Sequence, residues 1–216
     1  MHVYTYIYYL CPEIYSSLKI KDMKKNAVCF GLLIAAFITT TAAAQSVTKW
    51  TVDKLHSNVR FTASHMVVAE TEGTFRVFDG NAEHSKADWS DAKIEFTVDV
   101  NSINTDNDYR DKHLKSDDFF NAEQYPKMTF RSTSFKPLGK NKYELKGDLT
   151  IRDITKSIKF DVTLGGVAGD KAGFKATTTI NRFDYNLKWD KVTEAGGLVV
   201  GKDVEISVRV ELDRSK

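Results

Sequence analysis

Apolar and polar residues alternate along most of the chain beyond residue 57, as they do in strands with one face buried and one in water. In residues 58–65, Val59, Phe61, Ala63 and His65 share one face, and Asn58, Arg60, Thr62 and Ser64 share the other. In residues 93–100, Ile94, Phe96, Val98 and Val100 oppose Lys93, Glu95, Thr97 and Asp99. Residues 142–151, 158–162, 174–180 and 204–212 repeat the alternation, and residues 70–78 and 127–135 follow it less cleanly. That predicts eight strands or more. Few crossover helices separate them, so the pairing is antiparallel. Turn signals fall at Asp79-Gly80-Asn81, Pro137-Leu138-Gly139, Gly165-Gly166, Gly169-Asp170 and Gly196-Gly197.

One segment breaks the alternation. Residues 104–121 are polar and poor in β-branched side chains, which predicts a short helix with Asp106 as its N-cap and Asp108 in its first turn. Ser116 would cap a second turn carrying Phe119 and Phe120. The fold class is therefore all-β, with a short helical insert. Two architectures satisfy it: a closed antiparallel barrel of about eight strands, or a two-sheet sandwich. Phe61, Phe75, Phe96, Phe130, Phe160 and Phe174 crowd the apolar faces, beside the small residues Ala63, Gly147 and Ala176. Large rings beside small residues either fill a core or wall a cavity, and periodicity does not choose between them.

The N-terminal region follows different rules. Met23-Lys24-Lys25, an apolar run over residues 27–38 and the ending Ala42-Ala43-Ala44 describe a secretory signal peptide cleaved after Ala44. The apolar run is short for a membrane span, which needs roughly 20 residues. Residues 1–22 precede the signal, which makes Met23 an alternative start. The expected organisation is residues 1–44 as extension and removed signal, and residues 45–216 as one domain. Cys11 and Cys29 both fall in residues 1–44, so the exported chain has no thiol for catalysis or zinc. The formal charge of +2 also resides there, in Lys19, Lys21, Lys24 and Lys25 against Glu13 and Asp22. The remainder is neutral overall and has no basic block, which argues against nucleic acid as a partner.

Candidate chemistry is sparse. His56, His65, His84 and His113 occur at no chelating spacing, and no Gly-x-Ser-x-Gly or phosphate-cradling loop is present. His65 has the parity of the apolar face, where it is either a hydrogen-bonded core residue or a contact for a ligand's polar end. Arg110-Asp111-Lys112-His113 reads either as a solvated helix face with an Asp111–Lys115 pair or as a polar rim at a barrel mouth. A metal-assisted enzyme would have to assemble His56, His65, His113 and Asp111 in space. Neither a metal nor a cofactor is implied.

Ordered segments along residues 50–212 resemble the YceI-like family. They run from Trp50-Thr51-Val52-Asp53-Lys54-Leu55-His56-Ser57 through Gly73-Thr74-Phe75-Arg76-Val77-Phe78-Asp79-Gly80 to Arg110-Asp111-Lys112-His113-Leu114-Lys115-Ser116-Asp117-Asp118-Phe119-Phe120. Tyr125-Pro126-Lys127-Met128-Thr129-Phe130, Gly147-Asp148-Leu149-Thr150-Ile151-Arg152 and Asn181-Arg182-Phe183-Asp184-Tyr185 follow. The resemblance implies a lipocalin-like barrel that holds a polyisoprenoid or other long apolar chain, for transport or storage, in the periplasm. On that reading Phe61, Ala63, Phe75, Phe96, Phe130, Phe160 and Phe174 contact the chain, and His65, Arg110 and His113 meet its polar end. The expected partner is an isoprenoid or fatty-chain lipid, with room for transient membrane contact and a homodimer. The competing expectations are the metal-assisted enzyme and a solid sandwich acting as an interaction module.

Overall fold

The computed structural model describes residues 46–66, 68–192 and 199–215. The expected extension and signal peptide, and the Gly196-Gly197 turn, lie outside the described residues. Ten strands form in chain order: β1 (Thr48–His65), β2 (Ala69–Phe75), β3 (Phe78–His84), β4 (Lys93–Asp99), β5 (Ile103–Asn104), β6 (Lys127–Gly139), β7 (Lys142–Ile151), β8 (Ile154–Ala168), β9 (Lys171–Asn181) and β10 (Val200–Arg214). One α-helix, α1 (Asp108–Lys115), sits between β5 and β6.

The strands close into an antiparallel barrel of eight, in the order β1, β10, β9, β8, β7, β6, β4, β3 and back to β1. Closure pairs each of these eight strands on both sides. β2 and β3 act as two halves of one wall strand: β1 pairs with β2 through Val59–His65 and with β3 through residues 48–51. β5 lies beside β2 as a short addition. The barrel, rather than the sandwich, is what the alternating faces build.

Local chemistry explains the connections. β6–β7 and β7–β8 are joined by two-residue turns, Lys140-Asn141 and Arg152-Asp153, with φ near +50° and +61° in each. Both central residues are left-handed, as the right-handed twist of a tight hairpin requires. β7 pairs with β8 in unbroken register, and Tyr143, Leu145, Gly147, Leu149 and Ile151 all point into the buried interior.

β1 is longer than its alternation predicts and carries a bulge. Asp53 faces Glu211 while Asn58 faces Arg209, so residues 54–57 swell out of the ladder. Ser57 mends the gap: its Oγ accepts the Glu211 amide at 3.0 Å. Asp53 holds the bulge by accepting from the Leu55 amide (2.9 Å) and bonding His56 Nδ1 (2.7 Å). Leu55 is left 90% exposed.

Three sequence expectations are corrected. Asp79-Gly80-Asn81 is not a turn but part of β3: all three residues pair with β4, and Asn81 also pairs with Thr51 of β1. Gly165-Gly166 is not a turn either; it is a register shift within β8. The helix is capped by Asn107, whose side chain accepts from the Arg110 amide at 3.0 Å, because Asp106 takes a left-handed φ of 56° and cannot reach. Ser116 is the C-cap of α1, its hydroxyl donating back to the His113 carbonyl at 2.7 Å, and the expected turn carrying Phe119 and Phe120 follows it, with the Phe119 and Asn121 amides donating to the Ser116 carbonyl at 3.1 and 2.8 Å.

Candidate functional site

The barrel interior is not filled. Two apolar cavities lie in it, of about 150 Å³ toward the α1 end and about 120 Å³ toward the opposite end. Their walls are almost wholly carbon. Phe61, Ala63 and Phe75 line the larger cavity and Phe174 the smaller, while Phe96, Phe130 and Phe160 line both. These seven residues are the apolar part of the set read from sequence, and the alternation of their strands points them inward.

The polar part of that set, His65, Arg110 and His113, lies outside both cavity walls. Arg110 does not face the cavity, because its guanidinium is spent on Thr105: Nε donates to the hydroxyl and Nη2 to the carbonyl, both at 2.8 Å. His113 sits on the outer side of the barrel cap, where Nε2 meets Asp118 at 2.9 Å and the ring packs edge-on to Phe119 and Trp189. His65 is half-buried at the end of β1, opposite Ala69 and Val200, and outside both cavity walls. Asp111 is not a solvated helix charge. It is buried, and it accepts the Thr105 amide at 2.9 Å and the Thr105 hydroxyl at 2.6 Å.

Residues unread in the sequence close the two ends. Trp89 seals the smaller cavity from a loop, with its ring stacked 3.9 Å from His84 and edge-on to Phe174 at 5.0 Å. Its φ of +61° is rare for so large a side chain. Asp91 holds the loop by accepting the Ser85 hydroxyl, the Ser85 amide (3.0 Å) and the Lys86 amide (3.1 Å). The Ser85 hydroxyl leads these bonds in pulling the Asp91 carboxyl down to about 2. Only the turn-forming Asp88, Ser90 and Asp91 around Trp89 hint at this loop in the sequence.

At the other end Leu114, Phe119 and Phe120 face the larger cavity. Arg152 ties this cap down: Nη1 donates to the carbonyls of Asp117, Phe119 and Asn186, and Nη2 to the Asp117 carboxylate at 3.0 Å. The Arg182 guanidinium donates to the carbonyls of Leu187, Val200 and Gly201. It is 4% exposed, and burial pushes its pKa down. Since the cavity wall there is apolar, the stem of Arg182 borders the cavity while its head serves the backbone.

The residues of the metal-assisted reading are not brought together. His113 is engaged with Asp118, Asp111 with Thr105, and His56 with Asp53. Among the described residues, three ligand-type side chains do converge at Asp53, His56 and Glu211, within 4.8 Å of one another. Lys171 already supplies the cation there. Its Nζ lies 2.6 Å from Asp213, 2.9 Å from Glu211 and 3.0 Å from Asp53. Those acids hold the ammonium above its usual range, and His56 and Lys171 hold the Asp53 carboxyl well below its own.

Relatives agree with this architecture. A UPF0312 protein of Staphylococcus aureus strain bovine RF122 is 38% identical over 176 residues, covering 79% of this chain and all of its own. BcnA of Burkholderia cenocepacia superposes with a TM-score of 0.67 at 26% identity, over 74% of this chain and 98% of that one. A YCEI protein of Campylobacter jejuni gives 0.61 at 30% identity, over 71% and 90%. A polyisoprenoid binding domain from Saccharophagus degradans gives 0.59 at 16% identity, over 77% and 98%, a likeness of fold alone. The model of the YceI-like domain matches residues 50–212, and with a closed barrel around an apolar interior the chain belongs to the YceI-like family.

Proposed function

We propose that this protein binds a single long apolar chain, a polyisoprenoid or another lipid, inside the barrel, and carries or stores it. The observation that supports this most is the carbon-lined interior. Packed domains rarely leave such space, and an empty apolar cavity costs stability that a ligand restores. The lining extends along β7 from Leu145 to Ile151, roughly 20 Å of strand, so the space is elongated. Each buried methylene contributes about 0.8 kcal/mol, so affinity grows with the length of chain enclosed. A cavity near 150 Å³ holds about one benzene. A long chain must therefore occupy both cavities and move the rings between them.

Polyisoprenoid binding is the stated property of the Saccharophagus degradans domain, and the shared fold supports carrying that ligand class over. The protein acts by binding rather than catalysis: among the described residues, the cavity walls present no carboxylate, histidine, serine, tyrosine or lysine to a reacting molecule. Export to the periplasm, through the signal ending at Ala44, fits a carrier that collects its lipid outside the cytoplasm. Transient contact with a membrane would deliver it, and a homodimer is compatible with the role.

Native mass spectrometry of protein purified from its host envelope, followed by organic extraction, tests the reading. One co-purifying apolar species per chain is the expected result. Protein that carries no added mass and also ignores added prenols and fatty acids would overturn it.

A further inference from the structure

The two cavities share four wall residues: Phe96, Phe130, Phe160 and Val208. Phe96 and Phe130 are direct partners across β4 and β6, and Phe130 meets Phe160 edge-on at 5.4 Å. Together these side chains form a waist across the barrel.

Two of the rings rest in recesses made by glycine. Gly80 is the direct partner of Phe96 across β3 and β4, and a Cβ on Gly80 would come within 2.5 Å of Phe96 Cδ2. A Cβ on Gly147 would come within 2.6 Å of Phe130 Cε2. Real atoms do not approach so closely, so any side chain at these positions must displace the ring. Phe78, on the same inward face of β3 as Gly80, stacks on the Phe96 ring at 5.8 Å and blocks its sideways escape, so a ring pushed by a Cβ on Gly80 moves toward the barrel axis. The glycines therefore hold the rings back from the axis, and the ring positions set the bore.

We infer that this waist gauges the bound chain: Gly80 and Gly147, by recessing Phe96 and Phe130, let a long unbranched or thin chain thread from one cavity into the other. The inference rests on the proposed binding of an apolar chain. A molecule the size of benzene fits one cavity and is indifferent to the waist. Long chains must pass it, so narrowing the waist penalises them selectively.

The two glycines differ as experimental handles. At Gly147 a Cβ would also strike the Arg131 carbonyl oxygen at 2.5 Å, which the backbone must absorb. At Gly80 the nearest backbone atom is the Glu95 oxygen at 3.1 Å, so the main consequence of Gly80→Ala is a displaced Phe96 ring. Delipidated wild type, Gly80→Ala, Phe96→Ala and the double variant are titrated with benzene, and with octadecanoic acid delivered from cyclodextrin, and binding is read by calorimetry.

Gly80→Ala is expected to weaken octadecanoic acid by about tenfold or more and benzene by no more than about twofold. Phe96→Ala is expected to keep or tighten octadecanoic acid. The double variant is expected to match Phe96→Ala, because without the ring the new methyl has nothing to push. Equal weakening of both ligands by Gly80→Ala, or a double variant as weak as Gly80→Ala alone, would overturn the gauge and leave the binding reading standing. Wild type that takes up neither ligand, and no added prenol, would overturn both.

Discussion

The carboxylate of Asp111 accepts both the amide and the hydroxyl of Thr105, at 2.9 and 2.6 Å, with both residues buried. Arg110 binds the same threonine through its hydroxyl and carbonyl. A run of charged residues that resembles a catalytic cluster in the sequence is therefore a latch, fixing the first turn of α1 to the end of β5. The latch matters to the cavity, because α1 carries Leu114 and leads into Phe119 and Phe120, which close one end.

Asp111→Ala should therefore destabilise the fold by about 2–3 kcal/mol, since hydrogen bonds to a charged group contribute more than neutral ones and their loss strands two buried donors. Urea unfolding measures this, and hydrogen exchange in residues 108–115 should quicken beyond the global loss. A change under about 0.5 kcal/mol would mean that Thr105 finds other partners and the latch is dispensable.

Tyr185 predicts the opposite sign. It is 1% exposed, and its buried hydroxyl has no hydrogen-bond partner among the described residues. Burial pushes its pKa up to about 12. A lone buried hydroxyl costs stability, so Tyr185→Phe should leave the protein as stable or about 1 kcal/mol more stable. A loss greater than about 1 kcal/mol in the same unfolding assay would reveal a partner for the hydroxyl, such as a bound water.

The bulge in β1 should be sensitive to pH. Asp53, through its hydrogen bond and its charge, raises the pKa of His56 above the ordinary 6.5, and Glu211 adds to the effect. A pKa raised by folding means that the folded state holds the proton more tightly than the unfolded chain does. The stabilisation is then fully present below about 6.5 and disappears as pH rises through the folded value. NMR titration of the His56 ring should place its midpoint above 6.5 in wild type and lower in Asp53→Asn. A wild-type midpoint at or below 6.5 would show that the Asp53–His56 contact does not persist in solution.

What the sequence revealed, and what it hid, follows from the range of the interactions. Strand faces were legible because period-two alternation is local: β7 buries the five residues that its pattern nominates. The seven apolar lining residues follow from the same parity. Gly80 misled because Asp-Gly is a turn signal in most contexts, whereas here the glycine makes room for Phe96, a residue sixteen positions away paired on the next strand. The partners of Arg110 and His113 were hidden for a related reason. Their chemistry suits a polar rim, but Thr105 and Asp118 claim them, and only the fold brings those partners within reach. Trp89 was illegible because a loop residue has no periodicity; its burial depends on Trp50, His84 and Phe174, which tertiary structure alone assembles.

Ala63 offers a test of whether the interior is open space or an ordinary packed core. It is 8% exposed and borders the larger cavity, of about 150 Å³. In a filled barrel, Ala63→Leu would overpack the core and cost about 1–3 kcal/mol. In an open one, the leucine projects into existing space, gains contacts and buries three further carbons. Ligand-free Ala63→Leu should then unfold at the same or higher urea concentration than wild type, with a gain of up to about 1 kcal/mol. The same leucine takes volume from the ligand, so the uptake of long chains should fall as stability is kept or rises. Opposed changes in stability and capacity are what an open lumen requires. Loss of both together would mean that the leucine finds no space, and that the barrel interior is packed in solution.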